Sequence, residues 1–288
     1  MFCVAFLTLI ERKILGFGQN RCGPNKSRWG GSLQPVSDAI KLFCKSVRIN
    51  KNSNWFIYTV APGFIFFCYL LIFIFHPHEI SIEFLIIRII IFTVILCVTV
   101  FPLFLIGWAS NRKYAAIGSI RSIAQVVSYE VSLSLLNMIL IIRFLTIKIK
   151  DFSRFRGIFR NPLSYLILWV VTILAESNRR PFDTAEGESE LVSGFNIEYS
   201  SGGFVLIFLA EYLSILVLSC VSVHCVLGIN INSLLGIVIR GFIIIIIILI
   251  RGSLPRLRYD TLIKFAWTNI LPLTLLIFYF RVIIDFLL

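Results

Sequence analysis

The sequence predicts an all-α fold: a polytopic membrane bundle of about eight transmembrane helices, the first one truncated, plus one amphipathic interfacial helix. Residues 1–288 form a single integral-membrane domain in this reading. Three observations predict it. The chain is 58% hydrophobic with a mean hydropathy of +0.91. Charged residues make up 15%, where a soluble domain carries about 25%. Apolar runs at 163–175, at 204–209 continued by 213–227, and at 242–250 are too extensive to be withdrawn from water into one soluble core. In lipid a helix satisfies its own backbone groups, so such runs are spans. Strands of a β-barrel would alternate, and these runs are continuous.

In chain order, residues 1–10 are apolar and are followed at once by Glu11, Arg12 and Lys13, which is not the pattern of a cleavable signal. Residues 16–32 are rich in Gly, Asn and Pro and read as a loop. Leu33, Val36, Ile40, Phe43 and Val47 recur at helical spacing with Gln34, Asp38, Lys41, Lys45 and Arg48 between them. That pattern lies along a membrane surface better than across it. Further spans are expected near 55–76, 84–108, 118–142, 162–177, 203–228, 233–250 and 266–287, with Pro102 and Pro272 as kink positions. No repeat of 20–50 residues is visible.

Eight spans return both termini to one side, side A, opposite the first loop on side B. Side B collects 18 Lys and Arg and side A collects 8, with Arg240 inside a span. Positive-inside bias therefore turns side B toward the cytoplasm-equivalent compartment. The net charge of +12 follows from these loops and does not indicate a nucleic-acid partner. Seven scattered cysteines without a Cys-x-x-Cys pair assemble no zinc or iron–sulfur set. The three histidines carry no pattern.

Acid is concentrated in one place. Glu176, Asp183, Glu186, Glu188, Glu190, Glu198 and Glu211 are seven of the chain's fifteen carboxylates, opposed locally by Arg179 and Arg180 alone. Carboxylates between apolar helices are costly and mark proton or ion paths. Glu130 and Glu211 fall within predicted spans, where burial favours the neutral form and makes a carboxyl a proton carrier. A structural ion pair, for Glu130 with Arg121, is the competing reading. Asp183, Glu186, Glu188 and Glu190 are crowded enough to push one another's protonation apart, which suits a relay. A hydrated acidic loop, or a helix cap with Asp183 three residues ahead of Glu186, accounts for them equally well. Glu11, Arg12, Arg21 and Asp38 sit beside the amphipathic helix, either as polar groups at the end of an apolar slot or as part of a solvated basic loop.

Four blocks carry a resemblance. They are Glu11-Arg12-Lys13-Ile14-Leu15-Gly16 with Gln19–Asn25 and Leu33–Phe43; Gly107–Tyr114 continuing to Arg121, Gln125 and Ser128-Tyr129-Glu130-Val131; the acidic stretch through Ala210-Glu211-Tyr212; and Arg251–Asp260 with Trp267–Leu273. In this order the chain resembles the family of the quinone-facing membrane subunit 1 of respiratory complex I, the NADH:ubiquinone oxidoreductase. Cys22 stands where the family usually has a basic residue, Arg112 where it is usually uncharged, and Arg180 where it is usually small.

The resemblance implies a core membrane subunit without a redox centre or cofactor of its own. Ubiquinone would be the substrate, with NADH, FMN and the iron–sulfur clusters held by partner subunits of the peripheral arm. Glu11, Arg12, Arg21 and Asp38 would border the quinone cavity. Glu130, Glu176, Asp183, Glu186, Glu188, Glu190, Glu198 and Glu211 would begin a proton path, with Arg121 and Arg179 in orienting roles. The implied partners are other complex I subunits and lipid. The implied location is the mitochondrial inner membrane, with a bacterial plasma membrane as the alternative. The membrane subunit of an energy-converting hydrogenase and a stand-alone proton-coupled transporter remain rival readings. Residues 1–10 cover about 15 Å of a core about 30 Å thick. The resemblance implies a full span there, so a separate polypeptide is expected to complete the first helix or a neighbouring subunit to shield its end, with a start upstream of Met1 as the alternative.

Overall fold

The computed structural model describes residues 2–46, 52–75, 82–150, 163–184, 194–196, 198–228 and 233–287. Among them every regular element is helical. The first helix, α1 (Phe2–Gly18), runs straight through Glu11, Arg12 and Lys13, so the first loop begins at Gln19 rather than at the charges. Glu11 is only 5% exposed and ion-paired within the bundle, which removes the reason to end the helix there. A single turn, α2 (Arg28–Gly31), precedes α3 (Gln34–Phe43). Proline occupies the first turn of α3, where a missing N–H costs nothing. Leu33, Val36, Ile40 and Phe43 are exposed along one side, as an interfacial helix requires, and Val47 lies outside the described residues.

Among the described residues, six helical stretches are long and apolar enough to cross a membrane. They comprise α4 (Trp55–Ile74), α5 (Ile82–Ala109), α6 (Lys113–Lys150), α8 (Ser201–Val221), α9 (Leu234–Ser253), and α10 (Tyr259–Phe265) continuing into α11 (Leu271–Leu287). A seventh apolar helix, α7 (Leu163–Glu176), has 14 residues, about 21 Å. With α1 these make up the expected bundle. At 38 residues, α6 is about 57 Å long and outreaches a hydrocarbon core of about 30 Å. The last span starts at Tyr259 rather than near 266, because a π-turn at Ala266–Ile270 joins α10 to α11 without a break. Pro272 lies two residues beyond that turn. It lacks the N–H an α-helix would use, and Thr268 turns its hydroxyl back to the Lys264 carbonyl at 2.7 Å. A second π-turn, Ser222–Val226, extends α8.

The core is held by α4, which packs against α5 and α8, and by α6, which packs against α5, α7 and α11. Tyr129, Tyr165, Trp169 and Phe92 are fully buried at its centre. On the other flank α1 packs against α8, α9 and α3. Large apolar side chains such as Val94, Phe101, Leu249 and Leu276 face outward, as lipid permits. Close approach uses small residues. A Cβ on Gly107 of α5 would overlap the Ser119 side chain of α6, and one on Gly118 would lie 3.0 Å from the Phe195 backbone.

Candidate functional site

The side-B ends of α1, α8 and α9 converge on one buried charge cluster. Glu11 points inward from α1 because its helical face, with Val4 and Leu7, is the buried one. Arg179 Nη1 lies 3.4 Å from Glu11 Oε1, and Arg251, at the end of α9, pairs with the same oxygen. The Arg179 guanidinium also stacks over the Tyr212 ring at 4.5 Å, a contact that favours arginine over lysine. Leu7, Ile215, Ile244, Ile247 and Ile248 wall a narrow cavity around these polar groups. A polar end on an apolar slot is the pattern of a site for an amphiphile with a polar head.

The rest of the predicted first-loop set lies further out. Arg12 and Asp38 form a 2.7 Å ion pair at the loop surface, with Gln34 bonded to the other Asp38 oxygen at 3.0 Å. Arg21 is exposed and donates to Gln19 at 2.7 Å. The structure thus joins Glu11 to Arg179, and Arg12 to Asp38, while Arg21 stands apart from both pairs.

Behind the cluster, residues 177–184 are clamped rather than loose. Gln125 of α6 donates to the Ala175 carbonyl at 2.9 Å and to Asn178 at 3.0 Å, and accepts from Thr184 at 2.5 Å. Arg256 reaches the Thr184 carbonyl at 3.4 Å, and the Leu257 N–H donates to the Pro181 carbonyl at 3.0 Å. The Arg180–Pro181 peptide is cis. Asp183 is half-buried and Arg180 is exposed. Glu186, Glu188 and Glu190 lie outside the described residues.

Deeper in the bundle Glu176 is 3% exposed. It lies within electrostatic reach of Glu130 on α6, and Glu130 is hydrogen-bonded with Cys97 of α5. Tyr69 of α4, hydrogen-bonded with Thr99, lies within electrostatic reach of both Glu176 and Glu211. One carboxyl oxygen of Glu130 and one of Glu176 have no hydrogen-bond partner among the described residues, so each is open to a proton or a water. Arg121 lies over the Tyr259 ring at 5.7 Å.

Glu198 sits differently. Arg112 Nε is 3.2 Å from its carboxylate, and Tyr58 donates to its backbone carbonyl. Tyr58 and Tyr199 stack in parallel at 4.3 Å, and Tyr199 donates to the Ile106 carbonyl at 3.2 Å. Burial first, and the neighbouring Tyr58 second, hold the Tyr199 phenol far above its ordinary range. Tyr199 is therefore a fixed neutral donor.

A family model described as NADH dehydrogenase matches residues 1–282. The chain belongs to the NADH dehydrogenase family. Within it, the NADH-ubiquinone oxidoreductase chain 1 of Anopheles quadrimaculatus is 46% identical over 287 residues, covering 98% of this chain and 91% of that protein. The corresponding proteins of Locusta migratoria and Mytilus edulis are 44% and 40% identical, covering 97% and 94% of this chain and 90% of each relative. This NADH dehydrogenase family chain also engages residues to which the sequence reading gave no role at the site. Arg251 and Tyr212 complete the Glu11 cluster, Gln125 clamps the acidic segment, and Tyr69 and Cys97 attend the interior acids. Arg251 had one local signal, a cation at a helix C-terminus; its partner lies 240 positions away and left none.

Proposed function

We propose that this chain is a core membrane subunit of a proton-pumping NADH:ubiquinone oxidoreductase. In this reading it forms the membrane half of the quinone cavity and begins the acidic proton path. The observation that carries this is the buried Glu11–Arg179–Arg251–Tyr212 cluster set at the end of an apolar cleft. An apolar tail lies along the isoleucines of α9, and a polar head meets hydrogen-bonding groups of fixed orientation. The cavity between these side chains has room for about one water. This chain therefore supplies one wall of the quinone chamber, and docked peripheral-arm subunits on side B supply the other. Those partners hold the FMN and iron–sulfur clusters that carry electrons from NADH.

Reduction of a quinone to a quinol takes two electrons and two protons. The residues of this chain act on the proton side. Arg179 and Arg251 fix Glu11 as an anion beside the head group. The Gln125 clamp holds the segment that leads from there to Glu176. Glu176, Glu130 and Glu211, with Tyr69 and Cys97 between them, pass protons inward. Side B faces the mitochondrial matrix. The other membrane-arm subunits and lipid surround the remaining faces.

Two variants assayed in assembled complex test this. Asp38→Asn removes one partner of the exposed Arg12 pair and is expected to lower quinone reduction several-fold while NADH oxidation by an artificial acceptor stays unchanged. Equal loss of both rates would indicate misassembly and remove the quinone assignment. Glu211→Gln keeps shape and loses a titratable proton, and is expected to depress coupled turnover. Wild-type pumping and turnover in that variant would remove Glu211 from the path.

A further inference from the structure

We propose that the groove between α1, α8 and α9 near side A binds a phospholipid whose phosphate is held by Arg240. The groove encloses about 390 Å³. Phe2, Phe6 and Ile10 of α1, Leu216 of α8 and Ile244 of α9 line it with hydrocarbon, and Arg240 is its charged lining residue. Arg240 follows the N-cap Ser233 by seven residues, which places its Cα about 10 Å along the helix. A guanidinium at such a depth is costly and calls for a partner. Among the described residues its partner is the Cys220 sulfur, 3.4 Å from Nη1. Sulfur is a weak acceptor, and the guanidinium offers five donors.

Geometry selects the ligand class. A helical side chain leans toward the helix N-terminus. For α9 that end is side A, so Arg240 reaches back toward the headgroup layer as its aliphatic stem lies along the groove. A guanidinium matches a phosphate with two parallel hydrogen bonds. The apolar groove below it accommodates the first part of an acyl chain. A carboxylate from a neighbouring protein would satisfy the charge and leave the groove unfilled, and a quinone carries no anion. Its charged end is distinct from the Glu11 cluster, since Arg240 and Arg251 lie eleven residues apart on α9, about 16 Å, although Leu7 and Ile244 border both cavities.

Photolabelling of the wild-type assembled complex tests the site without relying on any variant to fold. The probe is a phosphatidylglycerol bearing a diazirine near the start of one acyl chain, in vesicles of an uncharged, phosphate-free galactolipid fused with the complex. Peptides 2–10 and 241–249 are expected to be labelled roughly tenfold more than the lipid-facing α11, as one charge-assisted contact warrants. Excess unlabelled phospholipid should compete, and an excess of free fatty acid should not. The Arg240→Leu complex should lose this excess labelling and retain one phospholipid fewer per complex after detergent washing. Uniform labelling of α1, α9 and α11, displacement by fatty acid, or equal lipid retention would each overturn the assignment. A density map with a neighbouring carboxylate on Arg240 would do the same.

Discussion

Glu11 is the residue on which the side-B cluster turns, and its replacement offers the sharpest check. At 3.4 Å from Arg179, an ion pair has a gross Coulomb energy of about 5 kcal/mol at an effective dielectric of about 20. Desolvation of both partners offsets most of that, so the intact pair contributes little net. Removing one side is another matter. Glu11→Leu leaves two guanidinium groups facing each other, Arg179 only 9% exposed, with a cost of roughly 3–5 kcal/mol. Glu11→Gln keeps an acceptor and should cost less, roughly 1.5–3 kcal/mol, the range for a hydrogen bond to a charged group. The expected order of assembled complex on native gels is wild type, then Gln, then Leu. Replacing Arg251 by Leu in the Glu11→Leu background should recover part of the loss, because Arg251 is the more exposed cation and its removal relieves the repulsion. A Glu11→Leu complex that assembles to wild-type level and resists heat inactivation equally would refute the burial argument. A double variant worse than the sum of its singles would refute the pairing.

Three further outcomes follow from local geometry. Gln125→Leu removes three hydrogen bonds, two of them buried, at about 1–3 kcal/mol for each polar group left stranded, and limited proteolysis should then cut within 177–184 at least about tenfold faster. Gly107→Val places methyl groups where Ser119 already lies, so α5 and α6 must separate; overpacking of this kind costs about 1–3 kcal/mol or more, read as a lower inactivation temperature. Arg112→Ser breaks the pair with Glu198, but Arg112 is 59% exposed at its side chain, so stability should change by less than about 1 kcal/mol in thermal inactivation.

The spans were legible because continuous apolar runs have one solution in lipid. The helix expected at 55–76 is found at Trp55–Ile74, and that expected at 84–108 at Ile82–Ala109. The amphipathic helix was legible for the same reason, from the spacing of Leu33, Val36, Ile40 and Phe43. The loop expected over 16–32 begins at Gln19, and the first span, expected to be bounded by Glu11-Arg12-Lys13 because these read locally as polar chain, continues through them to Gly18. Only the pairing of Glu11 with residues 168 and 240 positions away makes it helical and buried. Arg112 shows the converse. It departs from the family pattern in sequence, and its side chain meets Glu198, 86 positions on. The π-turn at Ala266–Ile270 was half-legible, since Pro272 marks a disturbed helix without saying how the backbone accommodates it.

The acids described in the structure divide by the kind of group that meets them, and the division follows depth. Near side B, Glu11 and Glu198 meet arginines. Within the bundle, Glu130 is hydrogen-bonded with the Cys97 thiol, and Glu176 and Glu211 lie within electrostatic reach of the Tyr69 phenol. A carboxylate paired with a buried guanidinium cannot gain a proton without stranding that cation, which costs several kcal/mol. One met by neutral hydroxyl or thiol groups strands nothing when its charge changes. In the proposed function, Glu11 is thus suited to hold a fixed negative potential beside a substrate head and the interior acids to change protonation during turnover, whereas Glu198 meets an arginine that is 59% exposed at its side chain and is not held in this way. The resemblance separated Glu11, as a cavity residue, from the acids of the proton path, but the sequence did not show which acids the fold pairs with arginine, because a carboxylate reads the same whichever partner the fold supplies.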